Sequence, residues 1–314
     1  MRFTNKHNLP DPVFRALTED KYSRGGADLS VTQIIDSPRV SLLRQEHDDE
    51  IEVDAIDQLW SVFGTAVHNI FEEFAEGEYI PEQRLYIDTQ GLTVSGAMDI
   101  QQVGEYQKIW DYKVTSAYTL VFGPQAKAKD GSIIYLGKPE WANQLNVYAH
   151  LRRKGYVKDD ASKTPIGGHT DGLRIIAILR DWQRSKALKD SSYPQIPIAL
   201  IRIPVWSPEE QERYFEERVA VHREARAMYE SDGILPLCSE EERWYKGTKW
   251  AVMKPGRKSA LRVLDSRADA EEYAGDTKGL YIEERRGESV RCEMNFCNVA
   301  PWCEQFRYEI EEER

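Results

Sequence analysis

Hydrophobic positions along the chain alternate between helix-type and strand-type spacing. From about Val53 to Ala75 the apolar residues recur every three or four positions, which is typical of a long amphipathic helix. Three strand-type runs follow, with turn residues between them: EQRLYID, LTVSGAMDIQQV and YQKIWDYKV. The pattern then predicts a second helix over about 139–153 and two buried strands, LRIIAILRDW and IALIRIPVW.

Capping and turn residues indicate where further helices begin and end. Ser30 is expected to cap a short helix, VTQIID, which Pro38 then closes. The sequence SPEE at 207–210 is a capping box with proline at the first helical position, and it predicts a charged helix that ends near Ser231. The first thirty residues have no clear period and are predicted to be irregular.

The character of the chain changes after Leu235 and Pro236. The segments KWAVMK, ALRVLD, RADAEEYAG and LYIEERR predict a small β-β-α-β unit. The sequence therefore predicts one domain over 1–235 and a second over 236–314, which holds this unit and a cysteine-rich tail. The expected fold class is α/β, with a mixed sheet flanked by helices.

Composition restricts the class of protein. The formal net charge is −11 and the pI is about 5.2, which argues against a protein that holds nucleic acid by bulk electrostatics. A locally basic cleft remains compatible with that charge. No apolar run reaches the length of a signal peptide core or a membrane span, so we expect a cytoplasmic protein without a membrane partner.

The segment MDIQQVGEYQKIWDYK predicts a hairpin that brings two carboxylates together. If its turn centres on Glu105, Asp99 and Asp111 are equidistant from the turn and face each other across the ladder. Like charges directly opposed on antiparallel strands are destabilising, so the pair requires a compensating cation. Oxygen ligands at this density suit Mg²⁺ or Mn²⁺.

Lys113 adds an ammonium group to this pair. It lies two residues beyond Asp111, so in a strand both side chains point to the same face. There the ammonium could orient an attacking water or neutralise phosphate charge, and the carbonyl of Tyr112 could supply another oxygen ligand. A lone D-x-K also occurs by chance on half-buried strands, and that alternative stays open at this point.

Two helices carry further candidate residues. His68 lies one turn after Gly64 on the long helix, and Gly64 is expected to let that helix lie close against the sheet. Gln144 and Tyr148 lie four residues apart on one face of the later helix. Taken singly, each of these side chains fits an ordinary packed or solvent-facing position as well as it fits a functional one.

The series GTAVHNIFE, GAMDI, IWDYKV and NQLNVY resembles the RecB-type branch of the PD-(D/E)XK nucleases. That branch includes the nuclease domains of RecB and AddB, CRISPR-adaptation exonucleases and phage exonucleases. The resemblance implies a restriction-endonuclease-like core and metal-dependent DNA cleavage, with an exonuclease of DNA processing or recombination as the expected activity. It implies that His68, Asp99 and Asp111 bind the metal and that Lys113 is catalytic. It also implies that Gln144 and Tyr148 contact the DNA strand or the active-site water.

The cysteines extend the resemblance. None of the four precedes Cys238, and three lie in the last 23 residues: Cys292, Cys297 and Cys303. Several members of the branch bind an iron–sulfur cluster through one early and three late cysteines, the last two separated by five residues, as Cys297 and Cys303 are. Here the fourth ligand would be Cys238. Four thiolates could hold a [4Fe–4S] cluster or a structural Zn²⁺, and buried thiols without a metal are the alternative.

Two other classes of function remain as alternatives. The chain could be a catalytically silent relative that binds DNA or acts as a scaffold, although the complete Asp, Asp and Lys set argues against this. It could instead be a metal-binding partner protein whose cysteine tail carries the function. The nuclease interpretation predicts DNA as the substrate, recombination or replication proteins or a second copy as partners, and the cytoplasm of a bacterium or phage-infected cell.

Overall fold

The chain forms two compact units. The computed structural model describes residues 1–19, 25–130, 133–159, 161–275 and 277–312. The first unit comprises Met1–Pro38 and Glu52–Gly233, and the second comprises Arg39–Ile51 and Ile234–Arg314. The segment Arg39–Ile51, which the sequence places in the first domain, therefore belongs to the second unit. Its assignment depends on contacts with residues some 200 positions later, for which the sequence carries no local signal.

Strands and helices alternate along most of the described chain. The strands are β1 (Arg2–Thr4), β2 (Leu29–Ser30), β3 (Glu52–Asp54), β4 (Tyr79–Thr89), β5 (Leu92–Gln102), β6 (Lys108–Thr115), β7 (Gln125–Lys127), β8 (Ile133–Tyr135), β9 (Gly172–Leu179), β10 (Ile198–Ile203), β11 (Lys249–Met253), β12 (Arg262–Leu264) and β13 (Tyr281–Arg285). The helices are α1 (Asp11–Thr18), α2 (Val31–Ile34), α3 (Pro38–Glu46), α4 (Leu59–Glu73), α5 (Ala117–Val121), α6 (Pro139–Lys154), α7 (Arg184–Ala187), α8 (Pro208–Asp232), α9 (Arg267–Ala274), α10 (Val290–Glu293) and α11 (Glu304–Glu312). Short 3₁₀ turns cover Ala55–Gln58 and Ala300–Trp302.

The first unit is built on a mixed six-stranded sheet flanked by helices. Its order is β10-β9-β6-β5-β2, and β4 pairs with the other edge of β5. β6 and β9 are parallel, whereas β5 is antiparallel to both β4 and β6. The predicted α/β class and mixed sheet are confirmed. None of the described helices is long and apolar enough to cross a membrane.

One edge of β5 changes partner along its length. β2 pairs with this edge at Val94 and Ser95, and β6 pairs with it only from Ile100 to Gln102. The β5–β6 register centres on Glu105, as the sequence predicts. Because the last ladder pair joins Ile100 to Trp110, the two strands separate at the next position, where Asp99 and Asp111 lie.

The core lies between the sheet and α6, which α8 covers. Most side chains of α6 are buried, among them Leu145 and Leu151 at 0% exposure. α8 begins with the predicted capping box, in which Ser207 and Glu210 exchange side-chain and backbone hydrogen bonds. Its Phe215 packs against His150 of α6 with ring centroids 4.8 Å apart.

Gly96 lets α6 lie directly on β5. A Cβ atom at this position would lie 2.7 Å from Cε1 of Tyr148 and 2.6 Å from Cγ2 of Val31. Gly64 on α4 is different, because a Cβ atom there would meet nothing within 4 Å. The expectation that Gly64 brings its helix close to the sheet is therefore wrong.

Several other predictions about elements need correction. The long amphipathic segment begins with a 3₁₀ turn and becomes α-helical only at Leu59, and α4 buries none of its apolar side chains fully. Pro38 begins helix α3 instead of only closing the preceding one. β10 is an edge strand with alternate side chains exposed, not a buried strand. The first thirty residues contain β1, α1 and β2.

The second unit contains the predicted β-β-α-β arrangement. β11 lies between β12 and β13 and is antiparallel to both. α9 packs on this small sheet around Val252, Ala270 and Ala274. In the same unit, α3 is joined to the segment before Cys238, because Arg39 donates hydrogen bonds to the carbonyl oxygens of Leu235 and Pro236 at 2.7 and 2.8 Å.

We expect Gly96→Ala and Gly64→Ala to change stability in opposite directions. The added methyl at position 96 overlaps buried atoms on both sides, so the free energy of unfolding should fall by about 1–3 kcal/mol. At position 64 the methyl enters open space and alanine is the better helix former, so the free energy should rise by up to about 1 kcal/mol. Urea denaturation of both variants checks this, and an unchanged Gly96→Ala protein would contradict the packing described above.

Candidate functional site

The candidate site lies where β5 and β6 separate. Asp99 projects from β5, and Asp111 and Lys113 project from β6. The side chain of Asp99 replaces the broken ladder, because its Oδ2 accepts the backbone N–H of Tyr112 at 2.7 Å. The two acidic side chains therefore lie in the interior of the sheet, and the backbone N–H of Tyr112 on β6 still has a hydrogen-bond acceptor.

Asp111 is the most deeply buried of these groups. The residue is 1% exposed, and its Oδ2 lies 2.6 Å from Nζ of Lys113. This buried oxygen is therefore paired with the ammonium of Lys113.

Helix α6 fixes the position of Lys113. Nζ of Lys113 donates to Oε1 of Gln144 at 3.1 Å, and Nε2 of Gln144 donates to the hydroxyl of Tyr148 at 3.0 Å. Gln144 and Tyr148 are 8% and 4% exposed, so this chain of hydrogen bonds is shielded from solvent. Gln144 and Tyr148 therefore contact the site through Lys113.

His68 approaches the site from α4. Its Nδ1 lies 3.6 Å from Oδ2 of Asp99, and its Nε2 lies 3.3 Å from the carbonyl oxygen of Tyr112. Tyr112 and Lys113 point to opposite faces of β6, because neighbouring strand residues alternate. α4 packs against Tyr112 and α6 binds Lys113, so the two helices reach the site from opposite faces of the sheet.

Glu82 is a member of the site that the sequence did not indicate. It lies on β4 opposite Asp99, and its Oε1 is 3.8 Å from Nδ1 of His68. Its φ angle of 46° is uncommon for a glutamate, and the Glu82–Asp99 pair is missing from the β4–β5 ladder, whose register is the same on both sides of it. An unusual backbone conformation that directs a carboxylate toward other acidic groups is a frequent feature of functional sites.

His68, Glu82 and Asp99 have the arrangement of metal ligands. One ligand atom from each of the three lies within 4.8 Å of the others. If Nε2–H of His68 donates to the Tyr112 carbonyl, Nδ1 keeps its lone pair toward the two carboxylates, as a metal ligand requires. Imidazole and carboxylate ligands together suit Mn²⁺ and Mg²⁺ better than a soft ion.

The charges at the site are strongly coupled. Burial raises the pKa of Asp99 to about 7, and the charge of Asp111 acts in the same direction. Burial lowers the pKa of His68, but its contact with the Glu82 carboxylate and the charges of Asp99 and Asp111 outweigh burial, so the pKa is raised. For Lys113 burial likewise acts downward and the two aspartates reverse it, so its pKa is raised too.

The four cysteines gather in the second unit. Cys238, Cys292, Cys297 and Cys303 line one cavity, and none of them forms a disulfide. Burial raises the pKa of Cys292 to about 12, and the other three thiols act in the same direction. The structure therefore brings together all four predicted ligands, although 53 residues separate the first two in sequence.

Several hydrogen bonds hold the cysteine segments in place. Gln305 accepts the backbone N–H of Cys238 at 2.7 Å and donates to its carbonyl oxygen at 3.0 Å. The N–H of Cys297 donates to the carbonyl oxygen of Arg291 at 2.8 Å. Nη1 of Arg39 donates to Sγ of Cys303 at 3.6 Å, a contact that the sequence could not indicate.

No protein-family model and no curated protein matches this chain. Among solved structures, the chain is similar to one described as the crystal structure of SSO0001, with 15% sequence identity and a TM-score of 0.35. The match covers 67% of this chain and 82% of the other. A similarity this low does not bear on the function of the present protein.

We expect the metal-free protein to lose stability as the pH rises, through Asp99. Its folded pKa of about 7 lies above the unfolded value of 3.8, so ionisation opposes folding increasingly between about pH 4 and 7 and fully above 7. His68, with its raised pKa, loses stabilisation in the same direction. In EDTA, Asp99→Asn should therefore gain stability over the wild type more at pH 8 than at pH 5.

Thermal denaturation of both proteins at the two pH values, with EDTA and with excess Mn²⁺, measures this effect. Mn²⁺ should stabilise the wild type more at pH 8, because protons compete less for its ligands. An equal gain for Asp99→Asn at both pH values would show that Asp99 carries no unfavourable charge.

Proposed function

We propose that this chain is a divalent-metal-dependent deoxyribonuclease with a PD-(D/E)XK core, acting as an exonuclease in DNA processing. The observation that carries the proposal is the convergence of Asp99, Asp111 and Lys113 with His68 where β5 and β6 separate. A solvent-facing D-x-K on a half-buried strand would not place Asp111 at 1% exposure with its carboxylate 2.6 Å from the Lys113 ammonium.

The proposed metal ligands are His68, Asp99 and Asp111, and Glu82 joins them because its carboxylate lies within 4.8 Å of the ligand atoms of His68 and Asp99. The carboxylate of Asp111 lies outside that three-residue group, on the same face of β6 as Lys113. The carbonyl of Tyr112 lies against His68 and offers a further oxygen. A bound Mg²⁺ or Mn²⁺ would supply Lewis-acid stabilisation of the phosphate and lower the pKa of a bound water. The donor set fits such an ion, because hard oxygen ligands predominate.

Lys113 supplies the remaining positive charge. Its ammonium is held between Asp111 and Gln144, so it cannot rotate freely. From that position it can donate to the attacking water or to a non-bridging phosphate oxygen, where negative charge develops. Gln144 and Tyr148 act by fixing the direction of this ammonium.

We expect Asp111→Asn to reduce DNA cleavage by at least ~100-fold, because it removes a ligand charge and an electrostatic contribution to the transition state. Single- and double-stranded DNA labelled at the 5′ or 3′ end, with Mg²⁺ or Mn²⁺, would report rate, strand preference and polarity. Glu73→Gln, at the exposed end of α4, removes the same charge outside the site and should leave the rate unchanged.

A melting curve of Asp111→Asn should show a folded protein, since the substitution relieves repulsion between the two aspartates. Wild-type turnover by this folded variant would rule out the proposed site. Cleavage only at internal positions would rule out exonuclease action while leaving the metal site intact.

We also propose that the four cysteines hold a [4Fe–4S] cluster with a structural role. Four sulfurs around one Zn²⁺ at ~2.3 Å would stand only about 3.8 Å apart. Within the described part of the chain, no three of these sulfurs lie within 4.8 Å of one another, which supports a larger centre. Arg39 and Arg291 also line the cavity and would offset part of the negative charge of four thiolates, whereas Arg243 is paired there with Glu309.

We expect Cys238→Ser and Cys297→Ser each to lower the bound iron to less than half and to reduce the melting temperature, because the metal closes a long loop. Protein purified without oxygen should be brown and bleach on reduction. Iron, sulfide and zinc analysis of wild type and variants decides between the centres. One zinc per chain in colourless protein would replace the cluster with a zinc site, and no metal would leave only buried thiols.

A further inference from the structure

Helix α4 presents aromatic side chains to solvent at one end of the candidate site. Trp60 and Phe63 are 50% and 40% exposed, and their rings meet edge to face at 6.3 Å between centroids. Trp60, Gly64 and His68 recur every four residues, so they lie along one face of α4. This face of the helix therefore runs from the exposed indole of Trp60, past Gly64, which has no side chain, to the metal-ligand candidate His68.

Arg180 lies over this indole. The guanidinium carbon is 4.4 Å from the centre of the Trp60 ring, and Arg180 is exposed. No carboxylate in the described chain forms an ion pair with it, although acidic side chains outnumber basic ones by 53 to 42 overall. A cation kept without an acidic partner in so acidic a protein is available for an anionic ligand.

The backbone places this pair close to Lys113. The N–H of Arg180 donates to the carbonyl oxygen of Thr115 at 3.0 Å, where β6 ends. Thr115 follows Lys113 by two residues, a distance of about 7 Å along a strand.

We infer that Trp60 and Arg180 form a subsite that stacks an unpaired base and contacts a phosphate of a single DNA strand. The inference rests on the proposed nuclease function and specifies the substrate class of that site. Double-stranded DNA hides the faces of its bases and is held chiefly by many phosphate contacts, which one arginine in a chain of net charge −11 does not provide. A single strand exposes a face that an indole can stack on, whatever the base.

The test measures binding of two oligonucleotides of equal length and charge, oligo-dT and the corresponding abasic strand. Full-length protein carrying Asp111→Asn is used with Mn²⁺, so that the strand is bound and not cut. Trp60→Ala should weaken oligo-dT binding about 5- to 150-fold and leave abasic binding unchanged. Trp60→Phe should restore most of the affinity, since a smaller ring still stacks.

Arg180→Gln should instead weaken both oligonucleotides equally and reduce the dependence of log Kd on log salt by about 0.7. Tyr106→Ala is the matched control. Its ring is 59% exposed and lies under Lys108, 5.5 Å from Nζ. Lys108 begins β6 at the end opposite Thr115, about 23 Å away along the strand. This variant should bind both oligonucleotides as the parent does.

Equal losses for oligo-dT and abasic strands in Trp60→Ala, or no loss for either, would overturn the inference. The inference would also be overturned if Trp60→Ala changed the molar mass measured by light scattering and left oligo-dT binding unaltered, because Trp60 would then belong to a protein interface. Cleavage assays in the wild-type background separate the two proposals. If Asp111→Asn abolishes cleavage while Trp60→Ala fails the abasic test, only the stacking subsite is wrong; if the wild type cuts no DNA, the nuclease proposal fails.

Discussion

Two carboxylates in the interior of the sheet impose the main electrostatic constraint on the first unit. Asp99 and Asp111 occupy the point where β5 and β6 part, and burial raises the pKa of Asp99 to about 7. Like charges in such a position require cations from their surroundings. The structure supplies an ammonium from Lys113 and an imidazole from His68, which come from different elements of the fold.

The fold brings these groups together because β5 has different partners at its two ends. β2 occupies one edge of β5 early, β6 occupies the same edge late, and the intervening residues lie in the opening between them. Gly96 allows α6 to pack tightly there, which brings Gln144 to Lys113. A continuous β5–β6 ladder would place backbone hydrogen bonds where the acidic side chains now meet.

The second unit has a comparable requirement with different chemistry. Four thiols surround a cavity that is also lined by arginines, and burial raises the pKa of Cys292 to about 12. Metal binding would deprotonate these thiols and convert binding energy into folding energy. A small unit with a three-stranded sheet and one short helix packed on it gains most from such a centre.

The sequence by itself determined what depends on local spacing. A short turn and the two-residue period of strands fix the register of Asp99 and Asp111, and the capping box of Ser207 and Glu210 fixes the start of α8. Only the tertiary structure decided which residues, distant in sequence, complete the acidic site and the cysteine cavity. Glu82 meets His68 through an unusual φ on β4, and Arg39 joins the cysteines from the early segment of the second unit. The exposed aromatic face of α4 likewise has the same helical period as a buried one. Periodicity reports which residues share a face, whereas burial depends on what the rest of the chain packs against that face.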